Sequence, residues 1–213
     1  MNNEENVQQA FNSKNHTEGY DRKAKESNWI GPEVVFGLSY RYIQPQETIL
    51  DIGIGTGLSS ILFHKAGLLV HGIDNSPKML EICAGKKIAD NLQQHDLLNF
   101  PYPYGDNSMH HAVSTGVFPI FQALSPIFRE VARILKPKGI FVFSVMDYHD
   151  GEEREHIIQS EQFPGKTFTL YRHNSAKISE LLRCHEFTLL NSLEFVTLHA
   201  GEKTHFKAYL AQR

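Results

Sequence analysis

The chain has 213 residues, 41% hydrophobic and 21% charged, with a formal net charge of -3. That is enough apolar sequence to bury the core of one α/β domain, and too even a charge for a disordered or nucleic-acid-coating protein. Its two cysteines, Cys83 and Cys184, lie in segments that read as helical, so they are expected to be packing residues in a reducing, cytoplasmic setting rather than a disulfide framework. No run approaches the ~18 apolar residues of a bilayer span, and the first residues have neither the basic start nor the apolar stretch of a leader.

Residues 1–46 read as a helical cover in pieces, at 7–11 and 34–42, with Gly31-Pro32 as punctuation. From residue 48 short β-rich runs alternate with helical periodicity, the pattern of a parallel sheet clothed by helices. A first strand at 48–52 runs into a glycine loop and a helix with Leu58, Ile61, Leu62 and Ala66 on one face. A second strand at 68–73 leads to Ser76-Pro77, a cap followed by proline at the first helical position, and a helix through Met79, Leu80, Cys83 and Ala84. Weaker strands follow at 92–95 and 109–114. Ser125-Pro126 then starts a helix with Ile127, Phe128, Val131 and Leu135 on one face.

Behind the turn Pro137-Lys138-Gly139 comes a fifth strand at 140–146, and residues 147–172, with weak periodicity and the charged run GEERE, read as a lid. A helix at 175–184 precedes two strands, 187–197 and 205–211, close enough in sequence to form an antiparallel hairpin around Gly201. The expectation is a single domain: one doubly wound α/β sheet of seven strands, mostly parallel with an antiparallel C-terminal strand, and helices on both faces. Its parts are the cover (1–46), a ligand-binding core (47–146), the lid (147–172) and a terminal helix and hairpin (173–213).

The run Asp51-Ile52-Gly53-Ile54-Gly55-Thr56-Gly57 ends one strand, and Asp74 ends the next. Glycines there let a ligand approach the backbone, a helix N-terminus offers free N–H groups, and an acid after the second strand can hold two ribose hydroxyls. A dinucleotide fingerprint wants G-x-G-x-x-G, whereas this spacing is G-x-G-x-G with Leu58 where the third glycine would fall. Asp51 favours a ligand with an amino group.

Residues 20–145 resemble the class I, Rossmann-like S-adenosylmethionine-dependent methyltransferases, with DIGIGTG in the place of their first motif. The resemblance implies S-adenosyl-L-methionine as cofactor, with Gly53, Gly55, Thr56 and Gly57 around its aminoacyl part and Asp74 on its ribose. It places Asn75 and Met79 beside the adenine, Asp96 on the adenine amine, Leu97 as apolar cover, the stretch Ser114-Thr115-Gly116-Val117, with Ser114 and Gly116 foremost, along the methionine part, and Tyr20 closing the cleft. A fainter likeness, through Tyr20-Asp21 and HGID-x-S, is to the methyltransferase-like proteins of the Williams-Beuren region.

The chain departs from the family pattern at His110, often aspartate, and at Phe118-Pro119-Ile120-Phe121, where charged or histidine residues often stand. No acid-base residue is therefore carried over; His149 is the least poor candidate for a general base. His149, Asp150, Glu152, Glu153 and His156 lack metal-ligand spacing and read as a solvated lid, so no metal is expected. His110 and His111 enter strand four at the end away from the ligand and read as packing. The expected acceptor is a small molecule, walled by Phe118, Phe121, Tyr148, Phe163 and Tyr171, with neither nucleic acid nor membrane as partner. Two alternatives stand: a nicotinamide-dependent oxidoreductase, and a noncatalytic S-adenosylmethionine-binding or interaction protein.

Overall fold

A computed structural model describes residues 19–148, 151–159, 167–199 and 202–213. Two N-terminal helices, α1 (Tyr20–Glu26) and α2 (Gly31–Ser39), precede an alternation of strands and helices. These are β1 (Thr48–Ile52), α3 (Ser60–Lys65), β2 (Leu69–Asp74), α4 (Pro77–Lys86), β3 (Asn91–Gln94), β4 (Met109–Ser114), α5 (Ser125–Ile134) and β5 (Leu135–Asp147). A hairpin of β6 (Glu155–Gln159) and β7 (Thr167–His173) follows, then α6 (Ser175–Cys184), β8 (Thr188–His199) and β9 (Glu202–Gln212). Among the described residues no helix is long and apolar enough to cross a membrane.

The Ser76-Pro77 cap acts as the sequence implies: Ser76 Oγ accepts from the Met79 amide at 3.3 Å with Pro77 opening α4. Asn174, not named from the sequence, caps α6 in the same way, its Oδ1 accepting from the Lys177 amide at 2.8 Å. Two starts are displaced. Helix α3 begins at Ser60, so Leu58 lies in the turn before it, and β5 begins at Leu135, running through Pro137-Lys138-Gly139 with a register irregularity against β4 and Lys138 at φ +69°.

Strands β3, β2, β1, β4 and β5 lie side by side in that order, all parallel. Strand β9 joins β5 antiparallel, from Ile140 opposite Gln212 to Met146 opposite Phe206, and β8 joins β9 antiparallel. The seven expected strands are all present in the mostly parallel, doubly wound arrangement, with the antiparallel strand at the C-terminus. The order reverses between β2-β1 and β4-β5, which opens a crevice at the carboxyl ends of β1 and β4.

Among the described residues the sheet has nine strands rather than seven, because the stretch read as a loop lid contributes the β6–β7 hairpin. Strand β7 pairs with β5 only at Met146 and Asp147, opposite Arg172 and His173. One edge of β5 is already taken by β9 at Met146, so β7 uses the edge that β4 vacates after Ser114. The hairpin is thereby rooted at the carboxyl end of the sheet, beside the 3-10 turn Phe118–Ile120.

Alternate residues of β5 feed two cores, as expected of a strand covered on both faces. Phe141, Phe143 and Val145 join Phe118, Phe128 and Tyr209 under α5 and α6, with the Phe141 and Phe143 ring centroids 4.6 Å apart. Ile140, Val142 and Met146 join Val35, Ile49, Phe63 and Cys83 under α2, α3 and α4. Cys83 is thus a packing residue, but Cys184, in the last turn of α6, is exposed and corrects that expectation. His110 and His111 hold the amino end of the sheet: His110 Nδ1 accepts from the Thr48 amide at 3.0 Å, and His111 Nε2 lies 2.8 Å from Glu47 Oε2.

Glu130 of α5 fixes the loop after β3. Its buried carboxylate accepts from the Tyr102 amide at 2.6 Å and pairs with Arg133, which also donates to the carbonyls of Tyr102 and Tyr104. Burial alone would raise the Glu130 carboxyl; the hydrogen bonds from Arg133 and Tyr102 outweigh it and hold it below the usual carboxylate range. Glu130→Ala leaves a buried amide unpaired and should lower stability by about 1–3 kcal/mol in urea unfolding at neutral pH. Because the folded carboxyl is depressed, that difference should shrink as pH falls below about 4.

Candidate active site

At the carboxyl ends of β1, β2 and β4, where the strand order reverses, lies a cavity of about 340 Å³. The loop after β1 folds under it through three left-handed glycines, Gly53 at φ +75°, Gly55 at φ +54° and Gly57 at φ +84°. The amides of Gly53 and Ile54 both donate to the Ile73 carbonyl, at 2.8 and 3.0 Å, which ties the loop to the end of β2. Gly72 makes room for this: a Cβ there would stand 2.4 Å from Ile54 Cδ1.

Asp74 completes the attachment. One of its oxygens accepts from the Gly55 amide at 2.8 Å and the other from the Ser76 amide at 2.8 Å, so the carboxylate joins the glycine loop to the start of α4. Each oxygen keeps a further acceptor position, and the residue lines the cavity. Burial raises its carboxyl above the usual range against the pull of both amides. Asp51 lies deeper, almost wholly buried, and accepts from Ser60 Oγ at 2.7 Å. Burial, with the nearby Asp74 charge adding to it, pushes the Asp51 carboxyl up to about 7 against the hydrogen bond from Ser60.

The N-terminal segment closes one side. Asp21 of α1 accepts from Thr56 Oγ1 at 2.6 Å and pairs with Lys86 at the end of α4, spanning the glycine loop. Its neighbour Tyr20 lines the cavity, its phenol pushed up to about 12 by burial and by the charges of Asp74 and Asp21. Trp29 lines the cavity as well, with its ring packed on Phe195 and Phe206 at centroid distances of 5.8 and 4.9 Å.

Eleven of the residues expected at the site line the cavity: Tyr20, Asp51, Gly53, Gly55, Thr56, Asp74, Asn75, Met79, Asp96, Leu97 and Gly116. Gly57 and Ser114 do not. A Cβ at Gly57 would stand 2.6 Å from Ile88 Cδ1 and 2.9 Å from Cys83 Sγ, so that glycine serves the packing of α4. Ser114 is fully buried and donates to the Ile52 carbonyl at 2.9 Å, stitching β4 to β1.

Of the five aromatics expected to wall an acceptor pocket, Phe121 lines the cavity. Phe118 is buried in the core, Tyr148 lines a second cavity, and Tyr171 pairs with Glu155 within the hairpin. Phe163, His149 and Asp150 lie outside the described residues. Thr115 and Val117, of the stretch expected along the ligand after β4, share the lining; sequence reading missed Trp29 and the Asp21 contacts with Thr56 and Lys86. Nothing in the spacing of residues 35 and 65 apart announces such contacts; the only available signal was the single tryptophan lying just ahead of Gly31-Pro32.

The glycines divide by what surrounds them. Gly55→Ala meets nothing closer than the Gly53 carbonyl at 4.0 Å and should cost about 1 kcal/mol of stability, the price of a left-handed L-residue. Gly57→Ala adds a clash with Ile88 and Cys83 and should cost at least about 2 kcal/mol. Chemical unfolding of the two variants side by side measures the difference, and equal losses would refute the assignment of Gly57 to packing.

The sequence matches, over residues 50–143, the family described as a methyltransferase domain. A malonyl-(acyl-carrier protein) O-methyltransferase of Serratia marcescens is 28% identical over 127 residues, which are 60% of this chain and 48% of that protein. A demethylmenaquinone methyltransferase of Corynebacterium kroppenstedtii is 35% identical over 96 residues, 45% of this chain and 40% of that protein. The chain therefore spans half or less of the length of these curated relatives. Magnesium protoporphyrin IX methyltransferase of Synechocystis, solved with bound SAH, shares the fold with a TM-score of 0.73 over 99% of both chains at 18% identity. The glycine loop, the acids ending β1 and β2, the sheet order and these matches agree: residues 50–143 match a methyltransferase domain and sit on a sheet of the class I, Rossmann-like kind.

Proposed function

We propose that this chain binds S-adenosyl-L-methionine in the cavity at the β1–β4 switch and transfers its methyl group to a small-molecule acceptor. The observation that carries the reading is the pair of acids flanking an open Gly55: Asp51 buried beneath the glycine loop and Asp74 beside it. Asp51 suits an ammonium group, Asp74 has acceptor positions for ribose hydroxyls, and Asp96 with buried Leu97 offers an acceptor and an apolar shelf to a base. Thr115 Oγ1, buried in the lining without a protein partner, is a polar group such a ligand would satisfy.

S-adenosyl-L-methionine supplies a methyl group already activated on a sulfonium, so the chain's residues have mainly to position an acceptor and keep the site dry. Trp29, Val117, Ile120 and Phe121 provide an apolar wall for that purpose. The relatives are named for malonyl-(acyl-carrier protein), demethylmenaquinone and magnesium protoporphyrin, which favours a small-molecule acceptor group. A net charge of -3 gives little counterion-release affinity for nucleic acid. A nicotinamide dinucleotide fits less well, since its fingerprint wants a third glycine where Leu58 stands and its pyrophosphate at the glycine loop would approach the Asp51 carboxylate.

Trp29 is the chain's single tryptophan and lines the cavity, so its fluorescence should report binding. Titration with S-adenosylhomocysteine should change it saturably, whereas NAD should not. Asp74→Ala, which removes a charged acceptor, should raise the Kd at least about tenfold. Unchanged affinity in that variant would remove the ribose assignment.

Binding should also respond to pH through Asp51. A bound ammonium favours the carboxylate, so the complex holds Asp51 ionised while the free protein protonates it below about 7. Affinity for S-adenosylhomocysteine should therefore rise between pH 5 and 7, and Asp51→Asn should flatten that slope. The same slope in the variant would place the ammonium elsewhere.

A further inference from the structure

A second cavity, of about 420 Å³, lies on the other half of the carboxyl edge. It is bounded by the chain after β4 (Gln122 to Ser125), by Tyr148 after β5, by Arg154 just before the hairpin and Arg172 within it, and by α6 from Lys177 to Cys184. Phe121 lines the first cavity and the next residue, Gln122, lines this one. A single chain segment thus separates the two, and consecutive Cα atoms are only ~3.8 Å apart.

The lining is basic in an acidic chain. It carries Arg154, Arg172 and Lys177 against Glu155 and Glu180, a formal balance of +1 where the whole chain carries -3. Arg172 is the most enclosed of the three, its side chain 14% exposed, and it is held by Glu152 at 3.5 Å and by the Glu153 carbonyl at 2.7 Å. Arg154 and Lys177 take part in no ion pair among the described residues. The ten-residue helix α6 adds the positive end of its dipole, and its capping residue Asn174 is in the lining.

From the cavity, its three cations and its place beside the first cavity, we infer that this is a second binding site, for the carboxylate or phosphate group of a small organic molecule. Arg172 presents a fixed guanidinium at the wall, Arg154 and Lys177 supply cations outside any ion pair among the described residues, and Tyr148 and Leu181 provide apolar surface for the body of the ligand. An acceptor long enough to pass Phe121 would hold its anionic end here while its nucleophile lies in the first cavity.

Cys184 supplies the readout, because it lines this cavity and is exposed while the other cysteine, Cys83, is buried. The rate of its alkylation by iodoacetamide is followed on the full chain with benzoate, phenyl phosphate or the uncharged benzamide present. Benzoate or phenyl phosphate should slow the reaction saturably and benzamide should not; which of the two acts at lower concentration distinguishes carboxylate from phosphate. The double variant Arg154→Glu, Lys177→Glu should raise the half-saturating concentration at least about tenfold. Trp29 fluorescence with S-adenosylhomocysteine, read on the same samples, should be unaltered, which separates this site from the cofactor site. No protection by either anion, equal protection by benzamide, or an unchanged half-saturating concentration in the double variant would overturn the inference.

Discussion

The Asp74 carboxylate, accepting from the amides of Gly55 and Ser76, is the contact on which the site's geometry depends. The loop after β1 must turn back sharply beneath a ligand, and three of its residues sit in the left-handed region to do so. Such a backbone exposes amides that need acceptors, and a neighbouring strand end is the only rigid place to provide them. Asp74 satisfies one of these amides and Ile73 two more, so the glycine loop is held by β2 as much as by its own strand. A ligand that binds Asp74 therefore meets a carboxylate whose position is already fixed, which lowers the ordering cost of binding.

Above that loop the N-terminal helix makes a second attachment. Asp21 reaches Thr56 in the loop and Lys86 at the end of α4, so the loop is held from β2 below and α1 above. Asp21, beside the glycine loop, is compensated by Lys86, whereas burial raises the carboxyls of Asp51 and Asp74. Acids so placed favour a ligand that brings positive charge and hydroxyl donors over one that brings phosphates.

The β6–β7 hairpin changes what the carboxyl edge offers. It occupies the edge of β5 that β4 leaves free and brings Arg172 and His173 beside the segment after β4, where the His173 ring lies 3.3 Å from the Phe118 carbonyl. One stretch, Phe118 to Ser125, is thus shared: its buried Phe118 fills the core, Ile120 and Phe121 face one cavity, and Gln122 to Ser125 face the other.

Local patterns were sufficient for most of the fold. The apolar run of β5, the Ser76-Pro77 start, and the glycine run followed by Asp74 are each written within a few residues, because caps, turns and strand patterning are short-range chemistry. From them came seven of the strands with the antiparallel one at the C-terminus, and eleven of the residues that line the cavity. What depended on distant pairing was not legible. The hairpin pairs within itself, but it joins the sheet because β5 has a vacant edge, a fact about β4 and β9 rather than about residues 155–173. Trp29 reaches the cavity because Phe195 and Phe206 hold its ring, more than 160 residues along the chain. Gly57, although part of the same motif as Gly55, turned to packing because Ile88 and Cys83 press against it. Sequence determined which groups could bind a ligand; the tertiary contacts decided which of them face it, since orientation is set by neighbours that no local spacing records.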